Sequence, residues 1–155
     1  MNPELRELYQ ALIIDHGRNP RAFHTIDGYT HKLEGHNPLC GDHITLYMKV
    51  EDDVIQEIGF TGAGCAISMA SASLMSEALK GKTLEYAESL QQHFQEIVTG
   101  VNDSGKQTVT TSVESDKLNA LSGVREFPSR IKCATLPWHT FKHAIHDNSE
   151  PVTTE

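Results

Sequence analysis

Apolar residues recur along this chain with two different periods, and each period predicts a different kind of element. From Leu5 to Ile13 they fall three or four positions apart, which is the spacing of one face of a helix. We expect this helix to begin at Asn2, because asparagine is a good cap and a proline follows at the first helical position. Gly17 is predicted to end it.

Alternation of apolar and polar residues replaces that spacing in the next part of the chain. Residues 42–50 alternate in this way, which predicts a half-buried strand. Residues 54–60 predict a second strand, paired antiparallel with the first across a turn at 51–53, and residues 30–35 predict a short third one. The expected sheet is therefore small, three-stranded and mainly antiparallel.

Helical spacing returns after the sheet, beyond a glycine-rich bend at 62–64. Strands followed mostly by helices predict an α+β fold, with the helices packed on one face of the sheet. Residues 101–116 are polar and are predicted to be the least structured interior stretch. The predicted helices cover 66–79, the stretch from a cap at Thr83 to Gly100, a short turn at 118–121, and 130–145.

Composition narrows the class of protein. The 155 residues are predicted to form one domain over 1–146, followed by a polar tail at 147–155 that we expect to be disordered. A net charge of −8 argues against nucleic-acid binding, which depends on clustered lysine and arginine. No apolar run approaches the ~20 residues of a membrane span, and the N-terminus lacks a signal-peptide pattern. The expected location is the cytoplasm, where thiols stay reduced.

The three cysteines are the candidate chemistry. Zinc prefers four ligands that include thiolates. Cys40 and Asp42 flank Gly41 and can converge from one tight loop, while Cys65 follows the glycine-rich bend. We expect Cys65 and Cys133 to lie at helix starts, where backbone N–H groups favour the thiolate over the thiol.

Other interpretations of these residues remain open from spacing alone. Three thiols make a poor disulfide set because one is always left over, and any single cysteine can be a small buried hydrophobe. Histidine ligands are a rival, since His36 and His43 flank the Cys40 loop. However, neighbouring strand residues point to opposite faces, so Asp42 and His43 should not share a metal. The histidines at 139, 143 and 146 are predicted to form a solvated helix face.

Three segments carry a resemblance to a known family. NPLCGD at 37–42, GFTGAGCAISMASASLMSEALKGKT at 59–83 and SRIKCATLPW at 129–138 resemble the cysteine motifs of the IscU/SufU family of iron–sulfur cluster assembly proteins. The likeness extends from the N-terminal helix to about His143. The chain is similar to the SufU branch in its long insert at 101–127, and in having Lys132 where the IscU branch has a histidine.

The resemblance implies a zinc site at one end of the sheet, built from Cys40, Asp42, Cys65 and Cys133. It also implies that the protein accepts sulfur from the persulfide of a SufS-type, pyridoxal-phosphate-dependent cysteine desulfurase and passes it to downstream acceptors. Two alternatives remain: a scaffold that assembles a [2Fe–2S] cluster, with iron instead of zinc on the same cysteines, and a non-catalytic, zinc-stabilised interaction module.

Two basic residues and one proline complete the predicted site. Cys40 is the expected acceptor, because it lies on a loop beside Gly41 and can leave the metal to attack the incoming sulfur. Arg130, three residues before Cys133, is expected to steady the anionic persulfide, with Lys132 as a second cation. Pro137 departs from the family pattern: it should delay the start of the last helix until about Cys133, or else kink that helix.

Overall fold

A computed structural model of the chain describes residues 3–38, 40–100, 117–146 and 151–153. A segment that the sequence predicts to be unstructured, 101–116, lies outside the described residues. The elements in chain order are α1 (Pro3–Arg18), β1 (His31–Asn37), β2 (Asp42–Glu51), β3 (Val54–Ala63), α2 (Ala66–Leu79), α3 (Leu84–Thr99), a 3₁₀ helix (Asn119–Glu126), α4 (Pro128–Ile145) and β4 (Val152–Thr153).

The sheet has the strand order β3-β2-β1-β4. Strand β2 pairs antiparallel with both neighbours, and Leu46 lies opposite Leu33 on one side and Phe60 on the other. The β2–β3 hairpin turns at Asp52 and Asp53, whose φ angles of 53° and 60° suit a two-residue turn that follows the twist of the strands. The predicted three antiparallel strands are confirmed.

One face of the sheet is covered by helices. Ile44, Leu46 and Met48, at alternate positions of β2, are each at most 2 % exposed. Helix α4 lies directly on β1, since a Cβ atom added at Gly35 would collide with the Thr140 hydroxyl. The predicted α+β class, with helices on one face, is confirmed.

Helix α2 is the central helix of this layer, packed between α1 and α4. Eleven of its 14 residues are buried, and most of these are alanine, serine or methionine. Small side chains allow the close approach: at Gly17 of α1, a Cβ atom would lie 3.1 Å from the backbone oxygen of Ala66. This packing fixes the N-terminus of α2, which carries Cys65, against the rest of the molecule.

The structure differs from the sequence predictions at both ends of the last segment. Helix α4 begins at Pro128, so the expectation that Pro137 delays the helix start to Cys133 is wrong. Proline is well suited to the first helical position, where its missing N–H has no partner to lose, and Pro137 lies inside the helix. Val152 and Thr153, within the tail predicted to be disordered, form a fourth strand parallel to β1.

None of the helices in the described part of the chain combines the length and the hydropathy of a membrane span.

Candidate metal and thiol centre

The three cysteines meet at one end of the sheet, where β1 turns into β2. Cys40 lies in that turn, closed by a hydrogen bond of 3.3 Å from its backbone N–H to the carbonyl oxygen of Asn37. Gly41 follows with φ +70°, a conformation that favours glycine. Asp42 then opens β2, Cys65 is the N-cap of α2, and Cys133 lies in the second turn of α4.

Their ligand atoms are close enough to share one ion. The Sγ atoms of Cys40 and Cys133 are 3.3 Å apart, and one ligand atom each from Cys40, Asp42 and Cys133 lie within 4.8 Å of one another. Cys65 stands outside this set of three but adjoins it, with its Sγ 3.9 Å from Asp42 Oδ2. Tetrahedral zinc with thiolate ligands at about 2.3 Å would place neighbouring sulfurs about 3.8 Å apart. The donor types therefore fit zinc, and Cys40, Asp42 and Cys133 lie close enough to share an ion that Cys65 adjoins.

Asp42 is held in place as a carboxylate. Its Oδ1 accepts a 2.8 Å hydrogen bond from the backbone N–H of Cys65, and its Oδ2 accepts one of 3.2 Å from Asn37 Nδ2. Burial alone raises the pKa of Asp42, but hydrogen bonds from the Cys65 backbone, Cys133 and Asn37 together outweigh it and lower the pKa below its usual value. A side chain at position 64 could not be accommodated, because its Cβ would lie 2.5 Å from Asp42 Oδ1.

Cys133 does not have the helix-start environment that the sequence suggested. It is the sixth residue of α4 and is fully buried. Burial first, and then hydrogen bonding to Asp42 and to Cys40, raise the pKa of the Cys133 thiol above its usual value. The prediction that a helix N-terminus lowers its pKa is wrong, because α4 begins too early. Cys65 does lie at a helix start as predicted, since it is the N-cap residue of α2.

The three thiols differ in exposure. Cys40 is exposed, Cys65 is half-buried and Cys133 is buried. The thiol in the β1–β2 turn is thus the one that an incoming molecule can reach.

Arg130 lies against the cluster from the solvent side. A hydrogen bond to Cys133, followed by the charges of Cys65, Cys133 and Cys40, raises the pKa of the Arg130 guanidinium. Beside it opens a groove of about 810 Å³ that reaches to Arg6 and Tyr9 of α1. Lys132 is half-buried, and within the described part of the chain no hydrogen bond or ion pair joins its side chain to the cluster.

The histidines lie outside this centre. His43 is exposed while its neighbour Asp42 is 2 % exposed, so the two point to opposite faces as predicted. The helix face at 139–146 is solvated at His143 and His146, as predicted. His139 is only partly exposed, and burial lowers its pKa. His146 lies 3.2 Å from Glu88.

One residue of the centre escaped the sequence analysis as a functional candidate. The side chain of Asn37 is fully buried, and its Nδ2 lies 3.2 Å from Asp42 Oδ2 and 3.3 Å from Cys133 Sγ. Its position within the first cysteine motif was the available signal. The contact with Cys133 spans 96 positions and could not be read from that motif alone.

Comparisons with known proteins agree with this geometry. The family described as NifU-like N terminal domain matches residues 8–147. The chain is 39% identical over 144 residues to the zinc-dependent sulfurtransferase SufU of Bacillus subtilis, covering 93% of both chains. It is 39% identical over 142 residues to the iron–sulfur cluster assembly scaffold protein IscU of Streptococcus pyogenes, covering 92% of this chain and 85% of that one.

Solved structures show the same fold. A crystal structure described as a candidate iron–sulfur cluster assembly scaffold for the SUF system, from Fervidobacterium islandicum, superposes with a TM-score of 0.79 at 28% identity, covering 93% of this chain and 99% of that one. A NifU-like N-terminal protein from Brucella abortus has a TM-score of 0.78 at 17% identity, covering 93% and 96% of the two chains, and supports the fold alone.

Proposed function

The chain belongs to the IscU/SufU family of NifU-like N-terminal domains, which act in iron–sulfur cluster assembly, and we propose that it works there as a zinc-dependent sulfur acceptor. The observation that carries the proposal is the convergence of three thiols and one carboxylate beside Arg130, with one thiol open to solvent. The name of the Bacillus subtilis relative supports the same activity.

Cys40, Asp42, Cys65 and Cys133 would hold the ion. Zinc, when bound, would keep the thiolates deprotonated and tie their elements together. Asp42 suits this role because its neighbours already stabilise the carboxylate form. The donor partner is a pyridoxal-phosphate-dependent cysteine desulfurase of the SufS type, and further acceptors in cluster assembly would receive the sulfur. We place this exchange in the cytoplasm, where thiols stay reduced.

Cys40 is the proposed acceptor of the sulfur. Its thiolate attacks the terminal sulfur of the donor's persulfide, so a new S–S bond forms on Cys40 Sγ as the donor's S–S bond breaks. The donor cysteine leaves as a thiolate, so the exchange involves no net oxidation or reduction. Cys133 is unsuited to this step because it is buried, and Cys65 is less suited because it is half-buried at the cap of α2.

The test combines metal content with sulfur transfer. The wild type, Cys40→Ala and the exposed control Thr25→Ala are purified without oxygen and analysed for zinc and iron. Each is then added to a SufS-type desulfurase, and alanine release and persulfide on each cysteine are measured. We expect one zinc per chain and clear stimulation for the wild type and the control, with persulfide on Cys40 and no acceptance by Cys40→Ala.

Other results would replace the proposal. Iron and sulfide in the wild type would favour a scaffold function, which is the function that the name of the Streptococcus pyogenes relative states. Zinc without any stimulation of the desulfurase would favour a zinc-stabilised interaction module. Acceptance of sulfur by Cys40→Ala at the wild-type rate would show that another thiol is the acceptor.

A further inference from the structure

We propose that the side chain of Asn37 is a positioning group that selects Cys40 as the sulfur acceptor, because it fixes Asp42 and Cys133 and leaves the thiol of Cys40 unrestrained. The inference rests on the proposed function, since it assumes that the four site residues share an ion and that one thiol accepts sulfur. It assigns a role to a side chain that neither binds the ion nor takes the sulfur.

The position of Asn37 joins three elements. It is the last residue of β1 and pairs in register with Asp42, the first residue of β2. Its Nδ2 lies 3.2 Å from Asp42 Oδ2 and 3.3 Å from Sγ of Cys133 on α4. A single amide group therefore bridges a ligand on the sheet and a ligand on the helix that covers it.

The orientation of the amide follows from its neighbours. A carboxylate oxygen and a thiolate both accept hydrogen bonds, so only the NH₂ end of Asn37 suits both. An amide also stabilises two negatively charged atoms without adding a charge of its own. This suits a site whose four ligands are all anionic when they are deprotonated.

A second observation argues that packing alone does not account for an asparagine at position 37. Asn37 Oδ1 is buried and has no hydrogen-bond partner among the described residues. An unpaired buried acceptor is costly, and an apolar side chain of similar shape would avoid that cost. The molecule tolerates the unpaired oxygen, which is what we expect if the donor end of the same amide is needed at the site.

The distribution of contacts separates Cys40 from the other ligands. Asn37 Nδ2 contacts Asp42 and Cys133, and Asp42 in turn accepts from the backbone N–H of Cys65. Among the described residues, the side chain of Cys40 makes one hydrogen-bond contact, with Cys133 Sγ at 3.3 Å. Its Sγ also lies within 4.8 Å of a carboxylate oxygen of Asp42, without a hydrogen bond to it. The network rooted at Asn37 thus restrains three ligands and leaves the exposed one able to move.

The first test measures metal affinity against metal-free stability. Asn37→Leu nearly keeps the shape of the side chain and removes both of its polar groups, whereas Asn37→Ala removes the side chain beyond Cβ. Ser76→Ala is the matched control, because the buried hydroxyl of Ser76 donates to the carbonyl oxygen of Ala72 within α2. Competition with a chelator should show zinc binding weakened roughly 10- to 100-fold in both Asn37 variants, as is typical when a group that orients a ligand is removed. The melting temperature of metal-free Asn37→Leu should fall only modestly, because loss of the hydrogen bond to Asp42 is offset by removal of the unpaired amide oxygen.

The second test asks which thiol takes the sulfur. After reaction with the desulfurase, peptide mass spectrometry should find persulfide on Cys40 in the wild type, and a raised fraction on Cys133 in both Asn37 variants. Substitution with Co²⁺ should give weaker sulfur-to-metal charge-transfer absorption per ion, because Cys133 is no longer held.

Several results would overturn the proposal. Unchanged zinc affinity and unchanged persulfide position in Asn37→Leu would remove the positioning role. Loss of the metal-free fold in Asn37→Leu, or a fall in stability that fully accounts for the weaker binding, would make Asn37 merely structural. A wild type that binds no zinc or accepts no sulfur would instead refute the proposed function, so the two failures are distinguishable.

Discussion

Arg130 lies between the thiol cluster and solvent. The sulfur of Cys133, and then the charges of all three cysteines, raise the pKa of its guanidinium, so the cation and the thiolates stabilise each other. Because Arg130 is exposed, this attraction is screened by salt. A persulfide formed on Cys40 is also an anion, and Arg130 is placed to offset its charge.

We therefore predict that Arg130→Ala slows persulfide formation on Cys40 and that Arg130→Lys restores part of the rate. The loss should be roughly tenfold at low ionic strength and should shrink as salt is added, as expected for an exposed charge. Rapid-quench mass spectrometry at two salt concentrations measures it. An equal loss at low and high salt would show that the charge is not the cause.

The sequence predicted the identity of these site residues better than it predicted their surroundings. The motifs identified Cys40, Asp42 and Cys65, since a glycine beside each allows a tight approach. They did not predict the buried, protonation-favouring setting of Cys133, because that depends on where α4 begins, and Pro128 sets its start. Asn37 was missed as a functional residue because its contact with Cys133 exists only when α4 lies on the sheet.

The junction of helices α1 and α2 contains a buried histidine, His16, that contacts both Ser73 and Glu77. Ser73 Oγ accepts a 2.8 Å hydrogen bond from the backbone N–H of Arg21 and lies 2.7 Å from Nδ1 of His16. On the other side of the ring, Nε2 of His16 lies 3.5 Å from Glu77. Burial first, and then the charge of Arg21, lower the pKa of His16.

This arrangement predicts a loss of stability in mild acid. As pH falls below about 6.5, His16 in the unfolded chain takes up a proton that the folded protein resists, so the free energy of unfolding decreases. The contribution of His16 has a slope of at most about 1.4 kcal/mol per pH unit. Urea unfolding of the wild type between pH 7.5 and 5 should show it.

The matched variant is His16→Gln, which has no proton to bind in this range. Its unfolding free energy should depend less steeply on pH than that of the wild type, while other groups contribute equally to both. Identical slopes in the two proteins would assign the acid sensitivity to other residues.

Elements with a long repeat were predictable, and those held by a few distant contacts were not. The helical spacing of α1 and the alternation along β2 each persist for eight residues or more, so burial of one face leaves a clear signal. Strand β4 has two residues, Val152 and Thr153, which pair with Gly35 and His36. Two residues are too few to show a periodic pattern, so this strand is defined by its pairing with β1 and could not be predicted from the sequence.

The four site residues come from distant parts of the chain: three of them converge and Cys65 adjoins them. The β1–β2 turn supplies Cys40, and Asp42 is the first residue of β2. Cys65 caps α2, and Cys133 lies in the second turn of α4. A bound ion would therefore link the sheet to both helices that cover it, so binding should also stabilise the fold.

We predict that removing zinc with a chelator lowers the melting temperature. A site in the presence of free metal at about 1,000 times its Kd gains about 4 kcal/mol, which for a chain of this length corresponds to roughly 8–16 °C. Calorimetry with and without chelator measures the shift, and adding zinc back should reverse it. No shift on removal of a full equivalent of zinc would mean that the ion does not link these elements.

The short distance between two sulfurs makes the metal-free protein sensitive to oxidation. Cys40 and Cys133 lie with their Sγ atoms 3.3 Å apart, one exposed and one buried. In the absence of an ion, an oxidant can take two electrons from this pair and couple the two sulfurs, which would consume the nucleophile. A bound ion would therefore also protect this pair, because neither thiolate would be available for coupling while both were coordinated.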